Sequence, residues 1–227
     1  MIDPITGLVI IIVGGFAWAT YEIIKKRRES ERQRREIEAL IQVAKQYADS
    51  YKFENCDEVL IKKCQDLIKN SFGNDINGTY NKFNTYEERM ELLNPFITQL
   101  AREMQIQNVE VRFEDLPPHC CGETSNMIKN ENGSIVVTVN KMLVMYDPTQ
   151  LIHTLCHEFR HVIQQQALSN NIWGFSNQRL AQWLYSFNYY INPISQEYVI
   201  SYALQIIEID AECFSEECLK NTNSISL

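Results

Sequence analysis

Residues 153–164 read HTLCHEFRHVIQ, and this stretch decides how the rest of the chain is interpreted. His157 and His161 are four positions apart, so on a helix their imidazoles lie on one face and can bind one metal ion together. Glu158 follows the first histidine and points toward a water on that metal, where a carboxylate can accept a proton. The H-E-x-x-H pattern therefore predicts a Zn2+ site at His157 and His161, with Glu158 as the general base.

The motif lies in a segment with the apolar period of a helix. Asp147 or Thr149 is expected to cap the start of this helix. Residues 134–139, SIVVTV, precede it and are rich in β-branched side chains, which indicates a strand. The apolar residues at helical spacing are Leu151, Leu155, Phe159 and Val162.

A third metal ligand is expected from the last predicted helix, at about residues 195–219. Zinc peptidase sites use three protein ligands and leave the fourth position to water. Glu208 can complete a His2Glu set, whereas the competing Asp210 points away from it by helix geometry, so that only one of them faces the metal. Glu212 lies one turn after Glu208, where it can accept a hydrogen bond from a ligand imidazole.

HEFRH followed by EIDAECF, residues 208–214, resembles the gluzincin metallopeptidases, and in particular the anthrax lethal factor-like catalytic domains. The resemblance covers about residues 105–218. It implies that Glu208 binds zinc, that Glu212 supports a ligand, and that SIVVTV is the edge strand along which peptide substrates align. It also implies a tyrosine or histidine that stabilises the oxyanion. Tyr198 and Tyr202 are nearest to Glu208 in the sequence, and Tyr185, Tyr189 and Tyr190 are further candidates.

Three other residues of the motif helix are expected to be structural. His153 lies one turn before His157 and is interpreted as a packed histidine, with a role beside the metal as the alternative. Cys156 is expected in the core. Arg160 is expected to pair with a carboxylate of the last helix.

The remaining segments predict a mostly helical domain. Asp57 is a candidate cap for a helix whose apolar face holds Val59, Leu60, Cys64 and Leu67. Thr85 and Glu88 form a capping box before a helix that reaches about residue 105, in which Pro95 predicts a kink or break. The other predicted elements are a loop at 71–84, a strand at 109–113, a loop at 117–122 and a helix at about 177–190.

The N-terminus predicts a membrane anchor. Residues 5–21 are an uncharged apolar run, and four basic residues at 25–28 follow. By the positive-inside rule we expect a transmembrane helix over 1–24, a charged juxtamembrane helix over 25–50 and a cytoplasmic domain over 51–227. The alternative is a signal peptide cleaved after Ala17-Trp18-Ala19, which would make the protein secreted.

Composition narrows the class of protein. The net charge of −8 gives no support to nucleic-acid binding. Seven irregularly spaced cysteines are best interpreted as free thiols.

The fold class expected is α+β, a mostly helical zincin-like domain with a small β-sheet. The activity expected is that of a membrane-anchored zinc metallopeptidase, with a protein or peptide substrate and the bilayer, through residues 5–24, as partners. The alternative is an inactive membrane-anchored scaffold on the same fold.

Overall fold

The structure is a computed structural model that describes residues 51–117, 120–129, 134–190 and 205–220. The predicted anchor at 1–24 and juxtamembrane helix at 25–50 lie outside these residues. None of the described helices is both long enough and apolar enough to cross a bilayer. The described residues divide into two compact units, one with 51–52, 181–190 and 205–213 and the other with those from 53 to 180 together with 214–220.

The described elements are mostly helices with one small sheet, which confirms the α+β class. In chain order they are α1 (Asn55–Phe72), α2 (Ile76–Tyr80), α3 (Tyr86–Glu103), β1 (Val109–Glu114), β2 (Gly122–Lys129), β3 (Ile135–Asn140), α4 (Met142–Tyr146), α5 (Pro148–Ser169), α6 (Asn177–Asn188) and α7 (Ile206–Leu219). Three of them were missed from the sequence: α2 lies within the predicted loop at 71–84, and neither β2 nor α4 was predicted.

Helix α1 begins two residues before the predicted cap. Glu54 is the N-cap, and Asp57 is the third helical residue, whose carboxylate accepts the backbone N–H of Glu54 at 2.8 Å. Leu60, Cys64 and Leu67 face the core as predicted. The prediction for Val59 is wrong, since its side chain is 56% exposed. One residue corresponds to a rotation of about 100°, which turns Val59 away from the buried face.

Helix α3 begins at the predicted capping box. The hydroxyl of Thr85 accepts the backbone N–H of Glu88, and the Glu88 carboxylate accepts the N–H groups of Asn84 and Thr85. These backbone hydrogen bonds lower the pKa of Glu88. The helix continues through Pro95 to Glu103, so the predicted kink or break is not a break, and the kink stays a prediction.

The sheet places SIVVTV in its centre. The strand order is β1-β3-β2, with β1 parallel and β2 antiparallel to β3. The prediction that SIVVTV is an edge strand is therefore wrong, because both of its sides are paired. Among the described strands, β2 forms the edge that packs on the motif helix. Its sequence, GETSNMIK, lacks a run of β-branched residues, so its strand conformation depends on pairing with β3.

Helix α5 carries the motif through the core of the larger unit and packs against β2 and β3. Asp147 is its N-cap, and the carboxylate accepts the backbone N–H of Gln150 at 2.9 Å. Pro148 occupies the first helical position, where its missing N–H leaves no bond unmade. All four apolar residues predicted for its core face are fully buried, namely Leu151, Leu155, Phe159 and Val162.

A buried ion pair holds α5 against α1. The Arg160 guanidinium lies 2.6 Å from Asp57, and both side chains are fully buried. The rings of Phe175 and of Phe214, on α7, lie 5.0 and 4.8 Å from the guanidinium carbon. Arg160 is buried in the structure, and the carboxylate of this ion pair belongs to α1; its predicted pairing with a carboxylate of the last helix stays a prediction.

Candidate metal centre

His157 and His161 converge on one point beside α5. Their Nε2 atoms are 3.2 Å apart, and their rings meet edge to face at 80°. His161 is buried and His157 is half-buried. The four-residue spacing on a regular helix therefore gives the shared nitrogen site that the motif predicts.

Gln164 fixes the orientation of the second histidine. Its side-chain oxygen lies 2.9 Å from Nδ1 of His161, and the residue is fully buried. An amide oxygen accepts only, so Nδ1 of a neutral His161 carries the proton and Nε2 keeps its lone pair for a metal. Gln164 was not identified from the sequence. Its position three residues after His161 was the available signal, since residues three apart are neighbours on a helix.

Glu208 is the carboxylate that joins the two histidines. One ligand atom each from His157, His161 and Glu208 lie within 4.8 Å of one another. Asp210, the competing residue, is fully buried and accepts a hydrogen bond from the hydroxyl of Tyr51. Glu208 is thus the carboxylate that forms a candidate metal-binding triad with the two histidines, and its role as a zinc ligand stays a prediction.

Tyr190 is the described tyrosine that contacts this carboxylate, donating its hydroxyl to Oε1 of Glu208 at 3.2 Å. Tyr185 and Tyr189 instead stack on each other, 63% and 66% exposed. Tyr198 and Tyr202, which the sequence placed first as oxyanion stabilisers, lie outside the described residues. Tyr190 was only an alternative in the sequence analysis, because spacing along the chain does not show which hydroxyl reaches Glu208.

The donor set fits a zinc ion. Zn–N bonds of about 2.0–2.1 Å at a tetrahedral angle require ligand nitrogens about 3.3 Å apart. The 3.2 Å between the two Nε2 atoms agrees with that separation. Two imidazoles and one carboxylate also match the three-ligand sets of catalytic zinc sites. A divalent ion would in addition balance the charge of Glu208, which is only 5% exposed.

Glu158, on α5, packs against β2, and only 6% of its surface is exposed. The hydroxyl of Thr124 donates to Oε2 of its carboxylate at 2.7 Å. A Cβ on Gly122 would lie 3.1 Å from the Cγ of Glu158, so β2 approaches the carboxylate closely because this residue has no side chain. Neither Gly122 nor Thr124 was identified from the sequence, since their role depends on the unpredicted strand.

Cys120 is a further thiol near this carboxylate. Burial, together with the negative charges of Glu123 and Glu158, raises its pKa to about 11. The thiol donates weakly to the carbonyl oxygen of Gly122 at 3.4 Å. The seven cysteines, all among the described residues, are not joined in disulfides, and Cys156 is fully buried in the core, as predicted.

The remaining candidate residues are His153 and Glu212. His153 is buried and bonded to the hydroxyl of Ser215 at 2.9 Å, which confirms it as a packed histidine. Glu212 is half-buried on α7, one turn after Glu208. Its predicted hydrogen bond to a ligand imidazole stays a prediction.

Comparison with known proteins does not place the chain in a family. No protein-family model, curated protein or solved structure matches it.

Proposed function

We propose that the protein is a zinc-dependent metallopeptidase of zincin-like fold. The observation that carries the proposal is the convergence of His157, His161 and Glu208, with the buried Glu158 next to the first ligand. Two neutral imidazoles and a carboxylate form a metal site, and an adjacent carboxylate is what hydrolysis requires as a base.

Each residue of the site has a separate task. His157, His161 and Glu208 would hold the zinc ion, and Gln164 keeps His161 in the tautomer that can bind it. When bound, zinc supplies the Lewis-acid chemistry that makes water a nucleophile near neutral pH. Glu158 accepts the proton of the attacking water and returns it to the amine that leaves.

The presence of the edge strand β2 favours a peptide as the class of substrate. Main-chain groups of an edge strand can pair with an extended peptide, which then lies along the strand. Glu158 packs directly against β2 at Gly122 and Thr124, so a peptide bond on this edge would lie close to the base. This strand therefore takes the role that the sequence had given to SIVVTV.

We further propose that the domain is anchored in a membrane through residues 5–24 and faces the cytoplasm. The apolar run and the basic residues that follow it support this placement. A mature N-terminus near Thr20, found by mass spectrometry of the protein from cells, would instead establish signal cleavage and secretion.

The first test is the zinc content of the full-length chain. The protein is purified without chelator, and zinc is measured by mass spectrometry in wild type, His157→Ala, Glu208→Ala and Glu158→Gln. We expect about one zinc per chain in wild type and in Glu158→Gln, and loss in the two ligand variants. Glu217→Ala is the matched control on α7, because its carboxylate pairs with Lys220 at the far end of the helix.

The second test is cleavage of a library of internally quenched peptides. Wild type should cleave members of the library, and Glu158→Gln should lose about 10²–10⁴-fold in turnover. Zinc binding without any cleavage would favour the inactive scaffold. A folded wild-type protein without zinc would overturn the metallopeptidase proposal itself.

A further inference from the structure

We propose that Thr124 is a positioning residue for the general base: its hydroxyl holds one carboxylate oxygen of Glu158 so that the other oxygen receives the proton. The inference rests on the proposed function, because it assigns a partner to the base of that reaction. It goes beyond the metal site by adding a residue of the sheet to the catalytic machinery.

The contact between Thr124 and Glu158 is short. The hydroxyl oxygen lies 2.7 Å from Oε2, and 3.2 Å from the backbone carbonyl oxygen of the same residue. A hydroxyl has a single proton, and an ionised oxygen is the stronger acceptor. The nearer contact is therefore the hydrogen bond. It fixes the rotation of the carboxylate about its last torsion angle, which is otherwise broad and roughly two-fold.

Gly122 faces the second carboxylate oxygen of Glu158, Oε1, with backbone atoms only. Gly122 and Thr124 are two positions apart on β2, so they lie on the same face of the strand, toward α5. A Cβ on Gly122 would lie 3.2 Å from Oε1. The strand thus presents a donor to Oε2 and bare backbone to Oε1, which leaves Oε1 without a bulky neighbour on this side. This asymmetry is the reason for assigning the proton transfer to Oε1.

The fixed orientation matters because proton transfer requires a heavy-atom separation of about 2.6–3.2 Å. A misplacement of about 1 Å in an active site can lower the rate about 100-fold. Without the Thr124 hydroxyl, the carboxylate would rotate among orientations of which only some reach the water. The zinc ligands would be unaffected, because Thr124 donates to the base and not to a ligand.

The test compares Thr124→Val, which keeps the shape but loses the hydroxyl, with Thr124→Ser, which keeps the hydroxyl. Both are made in the full-length chain and assayed on the peptide that wild type cleaves fastest. We expect kcat to fall about 10–100-fold in Thr124→Val with KM within about three-fold. Thr124→Ser should remain within about three-fold of wild type. Zinc content should equal that of wild type in both variants.

A second measurement does not depend on activity. In chelator-treated protein, Thr124→Val should lower the thermal midpoint of wild type more than that of Glu158→Ala. The reason is that the substitution leaves a buried carboxylate without its donor only where the carboxylate is present. Equal shifts in the two backgrounds would mean that the two side chains do not interact, and would overturn the assignment.

The outcomes separate this inference from the proposed function. If wild type cleaves peptides and Glu158→Gln does not, a Thr124→Val enzyme with unchanged kcat refutes the positioning role alone. Equal losses in Thr124→Val and Thr124→Ser would assign the effect to packing and also refute it. If Glu158→Gln retains full activity, the proposed mechanism fails and the role of Thr124 fails with it.

Discussion

Replacing Asp57 by alanine tests how the motif helix is held in place. Asp57 is the buried partner of Arg160, which lies within the HEFRH stretch. Its other carboxylate oxygen accepts the backbone N–H of Glu54 and lies 3.8 Å from Arg179. Asp57→Ala therefore removes the anion that faces a fully buried guanidinium and opens the capping box of α1.

The expected loss in the free energy of unfolding follows from the burial of the ion pair. Both side chains of the pair are 0% exposed, so water does not replace the lost carboxylate. Removing one partner of a buried pair costs about 3–5 kcal/mol in the free energy of unfolding. The matched control is Asp66→Ala, on the same helix, where the pair with Lys62 is 69% and 55% exposed. An exposed pair of this spacing contributes only about 0.3–0.5 kcal/mol.

The assay is urea unfolding of the full-length chain, followed by circular dichroism after zinc has been removed with chelator. At a slope of about 2 kcal/mol per molar urea, Asp57→Ala should lower the midpoint by about 1.5–2.5 M and Asp66→Ala by at most about 0.3 M. The double variant Asp57→Leu/Arg160→Met should be more stable than Asp57→Ala, because the buried guanidinium is removed together with the carboxylate that it binds. A midpoint for Asp57→Ala within 0.5 M (about 1 kcal/mol at that slope) of the Asp66→Ala value would refute the argument.

Three further predictions concern the site. Tyr190→Phe removes the hydroxyl that donates to Glu208 and should weaken zinc affinity about 10–100-fold in a competition titration, whereas the exposed Tyr189→Phe should not change it. Gly122→Ala would place a methyl group 2.7 Å from a side-chain carbon of α5, so the thermal midpoint and peptide turnover should both fall, and an unchanged midpoint would contradict the close packing. Cys120, with its pKa raised to about 11, should react with iodoacetamide at pH 8 about 100-fold more slowly than a thiol of pKa 9 in zinc-free protein, as followed by peptide mass spectrometry.

Local signals in the sequence were sufficient to predict the helix that carries the motif and the positions of its histidine pair. The capping residues Asp147 and Thr85 act on backbone groups three positions away, so short windows predicted the starts of α5 and α3. The period of apolar residues placed the core face of α5. The histidine pair also follows from local helix geometry, because four residues complete about one turn.

The parts that were missed depend on contacts between distant segments. Strand β2 has a weak strand sequence and is formed by pairing with β3, which also moves SIVVTV from the edge to the centre. Thr124 and Glu158 are 34 positions apart, and Tyr190 and Glu208 are 18 apart. No local pattern encodes which hydroxyl meets which carboxylate, so these partners became visible only with the tertiary structure.

The buried ion pair connects the fold to the site. Arg160 lies between Glu158 and His161 in the sequence, so the turn of α5 that carries the two histidines of the candidate site is also the turn held by Asp57. The guanidinium is bonded to a carboxylate and lies against two rings, so it ties this turn of α5 to α1. A buried pair adds little net stability compared with well-packed apolar residues. Its presence here is therefore better explained by geometry: a small rotation of α5 would move Glu158 away from Thr124.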